Sequence, residues 1–384
     1  MNHIPTVYSP MTSISKPFNG TIFHTHHSSS FPHQFRQHLH SHVVSITLRH
    51  KSIKISAHAV PPLPQNHTVV GFGMTTVDFL ATVDGYPKPD DKVRTTSSKV
   101  QGGGNAGNAL TCAARLGLKP KLISKVADDA QGKSILEELE ADCVDTSFIV
   151  VSKGGSSTFS YVLVDTQTKT RTSIYTPGDP PLVPDDLSQS MLLSAFDGAR
   201  LVYFDGMSTE TALFVGREAW TQSPSIPSAL VSMLLRLPNI KFVIVTLGED
   251  GCLMLERSAN EDVGLEERNV ESFLELLYKE KDERLAIPTC ISSVVTKFRV
   301  NGLGTVCGRF FIGTAEKIPD SELIDTTGAG DAFIGAIMYA ICSNMAPEIM
   351  LPFAAQVAAA KCRALGARTG LPHRTDPRLA SFLS

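Results

Sequence analysis

The feature that most constrains this chain is a short stretch near its C-terminal third. Asp325-Thr326-Thr327-Gly328-Ala329-Gly330-Asp331 is small and Gly-rich, and it runs straight into Ala332-Phe333-Ile334-Gly335-Ala336-Ile337-Met338-Tyr339-Ala340. The second part has no charge and no Pro, and reads as a buried helix. A Gly-rich turn that opens a helix aims backbone N–H groups at one point, where the helix dipole adds partial positive charge. An anion fits there, although a turn of this kind also serves as a plain N-cap. Asp331 is misplaced beside an anion unless it does chemistry, and a carboxylate there can take the proton of a hydroxyl attacking a bound phosphate.

The remaining pattern is that of an α/β protein. Val69–Met74 and Lys241–Thr246 read as buried strands, and Lys121–Val126 and Ala199–Gly206 as strands. Ala109–Leu116, Gln131–Glu140, Thr209–Trp220 and Ala354–Cys362 read as helices. Strands alternating with helices predict a mostly parallel sheet covered on both faces. Strand-like runs return at Ile291–Val300 and Gly308–Thr314. Residues 93–100 are polar and β-prone, which suits a small exposed sheet, and 158–165 and 170–176 are two more β-prone runs joined as a hairpin by the polar turn 166–169. Residues 257–285 are acid-rich and read as a solvated face, with Val270–Leu277 a short amphipathic helix.

The chain has 384 residues and a net charge of -3, which argues against a nucleic-acid surface. No apolar run reaches the roughly 20 residues of a membrane span. The charge is unevenly spread. Residues 1–67 contain no Asp or Glu, five Lys or Arg, and eleven of the twelve His. An acid-free, Ser-rich, basic N-terminus has the composition of an organelle transit peptide. Residues 1–60 are therefore set apart from the fold, with cleavage expected near Ala57–Ala59 and a chloroplast stroma destination, although a disordered tail with no address fits the same composition. The seven Cys form no C-x-x-C pair and the His keep no repeated spacing, so no metal site is expected.

Asp325–Met338 resembles the second signature of the ribokinase/PfkB carbohydrate kinases, and Gly103, Gly104 and Asn108 resemble the first. Leu110 departs from the small residue usual there. The resemblance implies a ribokinase-like fold over residues 68–384 and transfer of the γ-phosphate of Mg·ATP to a hydroxyl of a sugar, sugar phosphate or nucleoside. It implies Asp331 as base, with Gly328, Ala329 and Gly330 as the anion hole. Asp78, Gly103, Gly104 and Asn108 would hold the acceptor. Thr246, Gly248, Gly251 and Thr327 would border the nucleotide, although Thr246–Gly251 also reads as an ordinary hairpin turn. The three β-prone runs at 93–100, 158–165 and 170–176 would form a lid over the site, the cofactors implied are ATP and Mg²⁺, and lid strands often pair two subunits into a homodimer in such enzymes.

One departure stands out. Relative to that family, two strand–helix units and an Asn-x-x-Glu motif are missing between the helical runs on either side of residues 218–227, roughly 40–50 residues. This raises an alternative, a kinase fold with impaired chemistry acting as a scaffold in a plastid complex. A nicotinamide oxidoreductase is disfavoured, since no Gly-x-Gly-x-x-Gly follows the first strand.

Overall fold

The computed structural model describes residues 67–205, 225–236, 238, 240–258 and 266–383, with the backbone of Thr21–Ile22. The expected helix at 209–220, the junction at 218–224 and nearly all of residues 1–60 lie outside these. In chain order the elements are β1 (Thr21–Ile22), β2 (Thr68–Phe72), β3 (Thr76–Val83), β4 (Ser97–Gly103), α1 (Asn105–Arg115), β5 (Lys119–Ala127), α2 (Ala130–Ala141), β6 (Ile149–Ser152), β7 (Phe159–Asp165), β8 (Arg171–Thr176), α3 (Gln189–Phe196) and β9 (Leu201–Phe204). There follow α4 (Ile226–Arg236), β10 (Phe242–Thr246), β11 (Cys252–Arg257), β12 (Glu267–Asn269), α5 (Val270–Tyr278), β13 (Cys290–Ser292), β14 (Thr296–Val300), β15 (Gly304–Gly313), α6 (Ala329–Cys342), α7 (Pro347–Lys361) and α8 (Ala380–Leu383).

The first sheet runs β6-β5-β2-β9 and is parallel throughout. Its strands are apolar on both sides because helices cover both faces. Val69 and Leu122 face α1, while Val70 and Ile123 face α3. Leu110, the departure noted above, has a physical reason. Its side chain lies over Gly71 of β2, where an added Cβ would come within 2.7 Å of Leu110 Cδ1. The large residue on the helix is matched by the absence of one on the strand.

A second sheet, β4-β3-β7-β8, contains the strands expected to form the lid. Three of its strands fall where sequence places them, although β4 starts at Ser97 rather than 93. The fourth, β3, was not anticipated, yet it is central and pairs with both β4 and β7. The third sheet, β1-β10-β11-β15-β14-β12 with β13 also on β15, is mainly antiparallel. The single run expected at Ile291–Val300 is two strands, with the Ser293 hydroxyl accepting from Phe310 N–H between them. The acid-rich segment carries α5 as an amphipathic helix; Val270, Leu274 and Leu277 are buried against the third sheet, so only part of the segment is a solvated face.

Among the described residues, β9 pairs only with β2, and β10 pairs with β11 and the two residues of β1. No ladder among the described residues joins the first sheet to the third. The break coincides with the point in the chain where two strand–helix units are expected to be missing. The two sheets are instead bridged by the layer α1–α6–α7, whose side chains share one apolar core with both.

Candidate active site

Two helix N-termini meet at the centre of that layer. α1 begins inside the Gly102–Asn108 stretch, four residues earlier than sequence suggests, so Asn108 lies in its first turn. α6 begins at Ala329, with Gly328 as its N-cap at φ 74°. The helices approach closely because Gly335 has no side chain. A Cβ there would come within 2.6 Å of both the Ala109 carbonyl and Cys112 Cβ. Gly335 lies one helical turn beyond Asp331, so the close approach carries Asp331 to Asn108. Asn108 Nδ2 donates to Asp331 Oδ2 at 3.0 Å.

Asp331 is 2% exposed, and its other oxygen, Oδ1, is buried with no partner among the described residues. An acceptor left so costs about 1–3 kcal/mol, a cost that a donor arriving with a ligand would remove. Asp78, on β3, accepts from the Thr76 hydroxyl at 2.8 Å and packs on the Cα of Gly103, where a side chain would collide with its carboxylate. Burial pushes its pKa up to about 6; the Thr76 hydroxyl and Arg368 oppose the rise, and the Asp331 carboxylate adds to it. The two carboxylates thus sense each other. Gly104 takes φ 84° with its Cα close to the Met74 carbonyl, which only glycine tolerates.

The turn before α6 is held from inside. Asp325 Oδ1 accepts from the Thr327 amide at 2.8 Å and hydroxyl at 2.6 Å, and Oδ2 accepts from Gly366 N at 2.7 Å. The Ala329 amide is spent on the Thr326 carbonyl at 3.2 Å, so of the expected anion-hole amides this one is already engaged. The N–H groups of Gly330 and Asp331, in the first turn of α6, have no carbonyl one turn back in that helix. The residues present therefore fit a phosphate at this end. For Mg²⁺ the fit is weaker on the protein side. Among the described residues no cluster of three His, Cys, Asp or Glu side chains could hold a metal, so the ion would depend on the nucleotide's own phosphates.

Thr246, Gly248 and Gly251 form the hairpin turn between β10 and β11, closed by Leu247 N–H to the Gly251 carbonyl at 2.8 Å. Gly251 packs against the Gly313 carbonyl at the end of β15, from which the chain runs on to the turn at 325–331. An added Cβ at Gly248 would meet nothing within 4 Å, so its surface is open.

Four polar residues at this centre were not anticipated. Arg171 of the lid donates to Thr326 Oγ1 at 3.0 Å. Lys361 donates to the Asp325 carbonyl at 2.7 Å from a fully buried position. Arg368 donates to Asn108 Oδ1 at 3.0 Å and to the Gly103 carbonyl at 2.9 Å. Asp205, just past β9, accepts from Met74 N at 2.6 Å. In sequence Arg368 and Asp205 are single charges among small or apolar residues, a signal that could have marked them; Arg171, in a polar run beside Lys169, and Lys361, two residues from Arg363, carry none.

Comparison with known proteins adds an independent finding. The model of the pfkB family carbohydrate kinases matches residues 66–225 and 312–374. The ribokinase of Bacillus subtilis is 26% identical over 313 residues, covering 79% of this chain and 96% of that protein. The ketohexokinase of Mus musculus is 22% identical over 294 residues, covering 76% and 94%. Among solved structures, Arabidopsis thaliana ribokinase complexed with ribose and ATP shares the fold at a TM-score of 0.54, with 16% identity over 84% of this chain and 99% of that one. A ribokinase from Thermotoga maritima does so at 0.54, with 18% identity over 82% and 99%. Thr246, Gly248 and Gly251 fall in the stretch that the family model leaves unmatched.

Proposed function

Since the chain belongs to the pfkB family of carbohydrate kinases, we propose that it transfers the γ-phosphate of Mg·ATP to a hydroxyl of a sugar, sugar phosphate or nucleoside. One observation carries this reading. A buried carboxylate oxygen, Asp331 Oδ1, lacks a partner at the N-terminus of a buried helix that opens on a Gly-rich turn. That is the placement a general base beside a bound phosphate requires.

In this reading the acceptor O–H gives its proton to Asp331 Oδ1 as its oxygen bonds to the γ-phosphorus. The bond to the β-phosphate oxygen breaks and ADP leaves. Amides at Gly328, Gly330 and Asp331 steady the charge on the phosphoryl oxygens. Mg²⁺, if carried in with the nucleotide, would supply charge neutralisation at the phosphates. Asp78 and the Gly103–Gly104 backbone hold the acceptor, and the turn of Thr246, Gly248 and Gly251 borders the nucleotide. The lid sheet excludes water, which competes as acceptor. Its outer face also serves as the contact between two copies of the chain.

A scaffold role is the second reading, favoured by the break between β9 and β10. ATP consumption by the purified chain, screened against ribose, fructose and nucleosides, separates the two. Acceptor-dependent turnover that falls by about 10²–10⁴ in Asp331→Asn, with unfolding little changed, is expected. A wild-type chain that binds ATP yet phosphorylates none of them supports the scaffold. The acid-free N-terminus is read as a plastid address; import into isolated chloroplasts with cleavage near Ala57–Ala59 is the outcome that supports it.

A further inference from the structure

We propose that Arg368 is a positioning residue for Asp331, acting through the side-chain amide of Asn108; the catalytic part of this rests on the phosphoryl-transfer reading above. Arg368 is enclosed, with 2% of its surface exposed. Its Nε donates to Asn108 Oδ1 at 3.0 Å, one terminal nitrogen donates to the Gly103 carbonyl at 2.9 Å, and the other faces Glu138 Oε1 at 3.4 Å. Glu138 in turn accepts from Gly102 N–H at 2.5 Å. The guanidinium is therefore gripped on several sides. At its far end Asn108 Nδ2 donates to Asp331 Oδ2 at 3.0 Å.

The two neighbours of the amide differ in kind. A guanidinium only donates, and an ionised carboxylate only accepts. One amide orientation satisfies both. Flipped, the NH₂ would face N–H groups and the oxygen would face a carboxylate, exchanging two hydrogen bonds for two repulsive contacts in a buried site. Arg368 thus decides which end of Asn108 meets Asp331. With Oδ2 held, rotation of the Asp331 carboxylate is stopped, and Oδ1 is the oxygen left without a partner. The relay selects the oxygen that acts as base and aims its lone pair.

This changes the role expected of Asn108. At most one N–H and one lone pair of its amide remain for a ligand. Its main task is orientation of the base rather than capture of the acceptor.

The test is steady-state kinetics on the full chain with ATP and ribose, or whichever screened acceptor turns over best. Arg368→Met and Asn108→Ala should each lower kcat by about 10- to 100-fold, with acceptor KM changed less than about threefold. Arg368→Lys should recover part of the loss, and Arg368→Met should cost nothing further in an Asn108→Ala background. A raised KM with kcat intact in Asn108→Ala would overturn the assignment, as would independent, multiplying losses in the double variant. A second readout needs no turnover. The Asn108 side-chain amide signal, identified by its loss in Asn108→Ala, should exchange its protons slowly in the wild type. Exchange should be about tenfold faster or more in Asp331→Ala and in Arg368→Met, or in Arg368→Lys should the Met variant not fold. Unchanged exchange in the Arg368 variant sinks the relay. A wild type with slow exchange but no turnover on any acceptor sinks the kinase reading alone.

Discussion

The ammonium of Lys361 donates to the main-chain carbonyl of Asp325 at 2.7 Å, from a side chain with no exposure to solvent. Burial pulls the Lys361 pKa down, and the Asp325 carboxylate pushes it back up. The same Asp325 side chain holds the Thr327 and Gly366 amides. A buried cation therefore both props the turn before α6 and adds positive charge behind it. Lys361→Met should lower stability by about 1–3 kcal/mol, because it leaves a buried carbonyl unsatisfied. It should also lower kcat more than it raises acceptor KM. Urea unfolding and steady-state kinetics on the one variant check both, and unchanged stability would remove the bond from any structural account.

Asp78 makes stability pH-dependent. Its pKa rises from the ordinary 3.8 to about 6, mainly through burial. The folded state thus holds the proton more tightly than the unfolded chain. The contribution is full below pH 3.8 and is lost as pH rises through about 6, a change of roughly 3 kcal/mol. Asp78→Asn should remove that loss, so its advantage over the wild type at pH 7.5 disappears at pH 3.5. Urea unfolding at both values measures it. Acceptor affinity of the wild type should rise over the same range, since only the ionised carboxylate accepts two hydroxyl protons.

The lid carries an apolar row on its outer face. Val100, Phe79, Tyr161 and Ile174 lie side by side across β4, β3, β7 and β8 in register. Tyr161, Ile174 and Val100 are each more than half exposed, and Phe79 stacks on Tyr161 with ring centroids 5.5 Å apart. An exposed apolar row of this kind suits a second copy of the same surface. Tyr161→Lys should convert a dimer into a monomer in sedimentation velocity. A wild type that is monomeric at tens of micromolar would rule out this use of the lid.

The elements that sequence located well are those whose signal is local. β2 and β10 are short apolar runs, β5 is a β-prone run with apolar pairs, and α2 is a capped helix; each falls within about two residues of its expected bounds. β3 was missed because its residues serve two surfaces. Leu80 and Val83 are buried, Phe79 is part of the outer row, and Asp78 is turned to the site, so no clean alternation survives. The turn at 325–331 was legible as an anion site because its chemistry is contained in seven consecutive residues. The partners that orient it were not. Arg368 is 260 residues from Asn108, and nothing short of the folded layer α1–α6–α7 brings them together. The break between β9 and β10 was anticipated only by counting strands against a family pattern.

Two glycines give a paired test of how tightly the turn is built. Gly328 and Gly248 both hold positive φ, 74° and 64°. Replacing either by Ala costs about 1 kcal/mol for that backbone alone. Their surroundings differ. A Cβ at Gly328 would lie 2.7 Å from Ala367 Cβ and 3.0 Å from Ala367 Cα, whereas at Gly248 it would meet nothing within 4 Å. Ala367 follows Gly366, whose amide is bound to Asp325. Relief of the clash must therefore move the segment that anchors the turn, or move the turn itself. Gly328→Ala should lose about 2–4 kcal/mol in urea unfolding and nearly all turnover, through overpacking on top of strain. Gly248→Ala should lose only the backbone cost and leave the acceptor KM unchanged. Equal losses at the two sites would mean that conformation alone, and not contact with Ala367, sets the need for glycine at the N-cap of α6.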